Sequence, residues 1–172
     1  AHRMQKTKNG DEEPVRSLIL RDFTAMRNYD TWFAGASEFF VKTGSLEDFT
    51  ASTEAELRLY SPSITDFVIV VKRGQVGEPL PFNAMLISEW TSQLQNCAFM
   101  IIEDDGGTID EWSCTALVRV ASKSYGVEIK IPFHSRDAIV WRGQLTGRWL
   151  ESVSSQKGNF GDVSLTFEVV EY

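Results

Sequence analysis

Between residues 103 and 112 the chain reads EDDGGTIDEW, and five of those ten residues are carboxylates. Acids this dense could hold a hard cation or form an acid–base pair. Calcium takes roughly six to eight oxygens, commonly several carboxylates of one loop with backbone carbonyls. Glu103, Asp104, Asp105, Asp110 and Glu111 could supply part of such a shell. Their spacing departs from the EF-hand loop, so calcium here would bind in the looser manner of β-sandwich loop ends. The competing reading is a hairpin tip, with Asp and Gly chosen for turn geometry. A catalytic acid pair needs a second acidic element close by, and the sequence places none there.

If Asp105-Gly106 forms a two-residue turn, Glu103 faces Thr108, Phe99 faces Trp112, and Cys97 faces Cys114. These are the only two cysteines, and the register puts both on the apolar face with Phe99, Ile101, Ala116, Val118 and Val120. Opposed Cβ atoms about 4.5–5.5 Å apart approach the roughly 3.5–4.5 Å of a bridged pair. A Cys97–Cys114 disulfide would indicate an oxidising compartment; two reduced cysteines acting as small hydrophobes would fit the same positions.

His134, Ser135 and Asp137 lie together in PFHSRD. Hydrolytic triads are assembled from separated segments, so three neighbouring loop residues make a poor one. With two core-facing cysteines and one placed histidine, a tetrahedral zinc site is not expected. The chain has no GxSxG, Walker A, GxGxxG or HExxH, which argues against the common nucleotide-binding and hydrolase classes. Among aromatic residues, Trp32 in YDTWFAG and Tyr60 before Ser-Pro are the candidates for exposed ligand-stacking. Trp112, Trp141 and Trp149 share parity with apolar neighbours and are expected to face inward.

The elements that must position these groups follow a period of two. VEIKIPF (127–133) and DVSLTFEV (162–169) alternate apolar and polar residues, as does EAELRL (54–59), the mark of strands with one dry and one wet face. FVIVV (67–71) is apolar on both faces and reads as a central strand covered on both sides. Further strands are expected at 17–23, 37–43, 82–87, 97–103, 112–121 and 138–145, with a possible helix at 88–95 where Trp90 and Leu94 lie one turn apart. Many short strands punctuated by Gly, Asn, Ser and Pro indicate an all-β, two-sheet antiparallel sandwich, immunoglobulin-like or C2-like, with at most one short helix. Residues 1–16 read as a polar lead-in or tether and 17–172 as a single domain.

The chain's 172 residues, 42% of them hydrophobic, suit one folded domain. Lys and Arg number 17 against 24 Asp and Glu, a net charge of −7, so no electrostatic footprint for nucleic acid is present. No apolar run is long enough to span a bilayer.

With YDTWFAGASEFFV, EDDGG, IPFHSRDAIVW and GDVSLTFEVV in view, the chain resembles uncharacterised secreted or lipid-anchored β-sandwich domains of gut Bacteroidetes. The resemblance implies export to the periplasm or cell surface behind a polar tether, though a cytoplasmic location fits the lead-in as well. It supplies no catalytic residue and no cofactor. The resulting expectation is a non-catalytic binding or structural module with a glycan or surface protein as partner. A calcium-dependent C2-like module using 103–111, and an enzyme with a loop-assembled site, are the alternatives.

Overall fold

The computed structural model describes residues 15–29 and 36–171. Trp32 and nearly all of the lead-in fall outside them. Among the described residues ten strands, all paired antiparallel, form three layers. The strands are β1 (Arg16–Ala25), β2 (Ala36–Ser45), β3 (Ser63–Lys72), β4 (Leu80–Trp90), β5 (Asn96–Glu103), β6 (Ile109–Val120), β7 (Lys123–His134), β8 (Ala138–Thr146), β9 (Lys157–Phe160) and β10 (Val163–Glu171). One sheet has the order β4-β1-β10-β9, the second β3-β2-β5-β8, and β6 and β7 form a separate ribbon.

The two four-stranded sheets enclose the main core, which includes Leu18, Phe23, Phe39, Phe99, Leu165 and Phe167. A second, smaller core lies between the outer face of β5 and the ribbon, built from Ala98, Met100, Ile102, Ala116, Ile129 and Ile131. Odd residues of β5 therefore enter one core and even residues the other, and all eight of its residues are buried. Gly44 on β2 makes the ribbon's approach feasible. A Cβ there would overlap Ile129 Cγ2.

The alternation of 127–133 and 162–169 appears in the structure as β7 and β10. Four local expectations are corrected. FVIVV is not central: β3 is an edge strand whose even residues are exposed and whose odd residues are half-buried or, at Val71, buried, because the ribbon packs on β2 and β5. The strand buried on both faces along its whole length is β5, and β2 is so covered over residues 41–45.

EAELRL is not a strand. Glu54–Leu57 form the single helical turn α1, with Thr53 Oγ1 accepting from Glu56 N at 3.2 Å and Glu56 Oε1 accepting from Ser52 N at 3.2 Å. Thr-x-x-Glu is a capping-box signature and overrides the short alternation.

The helix expected at 88–95 is the end of β4 and a turn. Trp90 and Leu94 do meet, through Trp90 Nε1 donating to Leu94 O at 2.7 Å, but without helical backbone. Among the described residues, helical backbone appears instead in α1, in a 3₁₀ turn at Arg73–Gln75 and in α2 (Gly147–Val153), so there are two short α-helices rather than one.

Finally, Trp149 rides on α2 and is partly exposed, and a bulge opposite Ile101/Ile102 reverses parity within β8. Trp141 packs inward while Ile139 faces solvent. No helix among the described residues is long and apolar enough to cross a membrane.

Candidate functional site

The acidic tip is a crossing between layers rather than a hairpin. Strand β5 is flanked by β2 and β8, so neither of its edges is free for β6, and the chain passes through 104–108 to the ribbon, where β6 pairs with β7. The crossing is fastened to the 134–137 turn. Ser135 N donates to Thr108 O at 2.8 Å and Arg136 N donates to Gly106 O at 3.0 Å. Gly107 has φ +107°, and a Cβ on it would lie 2.9 Å from Arg136 N. This close backbone approach, not a two-residue turn, is what requires glycine there.

At the centre of the contact is Asp137, whose side chain is only 1% exposed. Its Oδ1 accepts from Asp105 N at 2.9 Å and from Gly106 N at 3.3 Å, and its Oδ2 accepts from His134 N at 2.8 Å. A buried carboxylate is stable when such donors surround it. Asp137 thus ties the crossing and the ribbon's end into one unit, a role that sequence reasoning missed. An Asp three residues past the end of a strand, where its side chain can satisfy local backbone N–H groups, is the available signal.

Of the carboxylates considered for calcium, only Asp104 joins a ligand-like set. Its carboxylate, a His134 ring nitrogen and the Asp137 carboxylate have ligand atoms within 4.8 Å of one another. Glu103 is buried in β5. Asp105 contributes its backbone N–H, and Asp110 lies on the ribbon, accepting from Glu111 N at 2.8 Å. One nitrogen and two carboxylates match a borderline transition ion better than calcium, which favours all-oxygen shells. Three backbone N–H groups already occupy the Asp137 oxygens, so the geometry reads first as a clamp. Nor do the neighbouring groups form a relay. Ser135 Oγ accepts from Thr108 N at 3.1 Å, and His134 Nδ1 is 3.9 Å from Asp137 Oδ2.

Cys97 and Cys114 are free thiols. The hairpin that would have opposed them does not form, and β5 separates them: Cys97 enters the main core, whereas Cys114 packs against the smaller core under the ribbon. Burial raises both thiol pKa values. For Cys114 a hydrogen bond with the Gln144 side chain works in the opposite direction.

Tyr60, considered for stacking, is half-buried. Its ring packs edge-on against Phe49 at 4.8 Å and its hydroxyl donates to Thr50 O at 2.9 Å, which makes it a lid on the core edge. The exposed aromatic hollow lies elsewhere, where Trp141, Trp149 and Phe160 line a shallow depression with Gln144 and Thr146.

The second feature open to a partner is β3. Ile64, Val68 and Val70 project from its outer face at 39%, 51% and 48% exposure. Its ten residues pair with β2 in unbroken register, and among the described residues no strand pairs with its other side. Comparison with protein-family models, curated proteins and solved structures returns no match to this chain.

Proposed function

We propose that the protein is a non-catalytic binding module that takes up an extended protein segment along the free edge of β3. The observation that carries this reading is a long, unbulged, largely apolar edge strand left open. Such an edge presents a row of unpaired N–H and C=O groups, and proteins ordinarily protect it. Strand addition draws affinity from main-chain hydrogen bonds and selectivity from alternate side chains. In β3 those side chains are Ile64, Asp66, Val68, Val70 and Lys72. The half-exposed valines supply an apolar surface that a partner strand would cover in part, each cross-strand pair contributing roughly 0.2–1 kcal/mol.

The hollow at Trp141, Trp149 and Phe160 favours a second reading, in which the flat ring of Trp149 meets a glycan. The two tryptophan rings, however, pack edge-on onto Phe160, and Trp149 also packs edge-on onto Phe167. Such packing suits a cover over the core, so the β3 reading is preferred. Export to the periplasm or cell surface belongs to the proposal on the strength of the sequence resemblance alone.

The test is a selection of displayed random peptides on the wild-type protein, counter-screened on Val68→Lys/Val70→Lys. Peptides that bind wild type, lose at least about tenfold in affinity (about 1.4 kcal/mol) on the variant, and shift β3 amide resonances are the expected result. Binders that ignore the double substitution, or whose footprint falls on Trp149, would overturn the assignment.

A further inference from the structure

We propose that the partner of β3 is a second copy of the same chain, the two β3 strands pairing antiparallel about a two-fold axis at Ile69. The inference rests on the reading of β3 as the binding edge and names its occupant.

The other long edges are blocked by bulges, proline or hydrogen bonds along their length; on β3 such a bond is confined to the end, where Lys72 N donates to Gln75 Oε1 at 3.0 Å, and its two outward charges, Asp66 and Lys72, are of opposite sign. On β4, Pro81 removes a donor, Asn83 sits at φ +52°, and the register with β1 shifts three times. Strand β8 is bulged and β9 has four residues. The free side of β6 is occupied: Leu117 N donates to Asn96 Oδ1 at 2.8 Å, Gln95 N donates to Leu117 O at 2.8 Å, and the Gln144 amide donates to Thr115 O. Strand β7 presents Glu128, Lys130 and Pro132 to solvent. Bulges, prolines, charges and short length are the usual ways of blocking edge-to-edge pairing. Among the described residues, β3 alone offers an open edge that is long, unbulged and free of proline.

Its sequence is also self-complementary. With two copies antiparallel and Ile69 facing Ile69, Val68 of one copy faces Val70 of the other, and Asp66 faces Lys72. By symmetry each pair occurs twice. Residues i and i+2 share a face, so all four pairs lie on the outer face beside the ribbon, where Ile64, Val68 and Val70 are exposed. Moving the axis by one residue, to Val68 or Val70, removes the Asp–Lys match: centred on Val68, Asp66 faces Val70; centred on Val70, Lys72 faces Val68. The charges therefore select one register as well as one partner. Asp66 already lies 3.4 Å from Lys42 Nζ of its own chain, with its side chain still 44% exposed. In the dimer it would lie between two cations. The result is a continuous eight-stranded sheet with the two ribbons on one side.

The test compares sedimentation of the wild type, Asp66→Lys, Lys72→Asp and an equimolar mixture of the two variants, with thermal melts to confirm folding. Wild type is expected to dimerise with concentration. Each single variant places like charges opposite each other twice and should self-associate roughly tenfold more weakly. In the mixture, a dimer of one chain of each variant sets the introduced lysine against the introduced aspartate, and native Asp66 against native Lys72. The mixture should therefore recover dimer. A parallel measurement avoids charge reversal: mixed Val68→Cys and Val70→Cys chains should form an intermolecular disulfide faster than either alone. A wild type that stays monomeric at about millimolar concentration, or single variants that dimerise as wild type does, would overturn self-pairing. If selected peptides still engage β3 in a monomeric wild type, the edge reading survives and only the identity of the partner fails. If the peptides bind elsewhere as well, both fail.

Discussion

Phe99→Ala is expected to lower the unfolding free energy by about 3–5 kcal/mol, the largest effect of any single substitution considered. Phe99 lies at the middle of β5, which is buried on both faces along its whole length, and is itself fully buried. Its ring meets Trp141 at 5.9 Å, Phe160 at 5.9 Å and Phe167 at 5.6 Å, joining β8, β9 and β10 across the main core. Truncation removes the transfer free energy of the ring and leaves a cavity between two rigid sheets that cannot collapse to fill it. Since a domain of this size is stable by roughly 5–15 kcal/mol, the variant should be near the limit of folding at 37 °C. Urea unfolding followed by Trp fluorescence measures the loss. A loss below about 1 kcal/mol would mean that β5 does not occupy the centre of the molecule.

Asp137→Ala is expected to cost about 2 kcal/mol, less than three charged hydrogen bonds would sum to, because the released N–H groups can be rehydrated once the crossing opens. Asp105 N, Gly106 N and His134 N lose their acceptor. Asp137→Asn should cost nearly as much: its amide NH2 must face an N–H donor on one side of the clamp or the other. Proteolysis should then begin in 104–108 rather than in the strands. Melting curves of the two variants, with and without calcium or zinc, are the check. Variants that melt with wild type would remove the clamp. A wild-type melting temperature that rises with ion and is flat in Asp137→Ala would turn the clamp into an ion site.

The parts of this fold that are legible in the sequence are those set by local period. VEIKIPF and DVSLTFEV alternate because each lies in a sheet with one wet face, and no distant partner is needed to see it. The errors share a different cause. Asp105-Gly106 has the chemistry of a tight turn, yet the hairpin needs β5 to have a free edge, and β2 and β8 occupy both. That fact is carried by residues dozens of positions away. FVIVV is apolar on both faces whether a ribbon covers it or a partner does, so composition alone does not tell a central strand from an unprotected edge. The helical turn at Glu54–Leu57 is readable, since Thr53 and Glu56 stand at capping-box spacing, but alternation across six residues points the other way. Likewise, the parity that puts Trp141 and Ile139 on one face fails at a single bulge in β8, which no pattern in IVWRG announces. Of the candidate site, Asp104 stands out in the sequence, whereas His134 and Asp137 read there only as a poor triad. Their actual relation, a carboxylate satisfying the backbone of another loop, depends on the layer crossing and so on the tertiary fold.

Amide hydrogen exchange along β3 at low and high protein concentration measures directly whether β3 is an edge that binds. Protection is expected to rise with concentration at alternate residues of β3 centred on Ile69, while amides of β5 stay protected throughout and those of β4 and β8 do not change. Equal exchange of β3 at both concentrations, or a rise in protection at β4 or β8 instead, would contradict pairing through that edge.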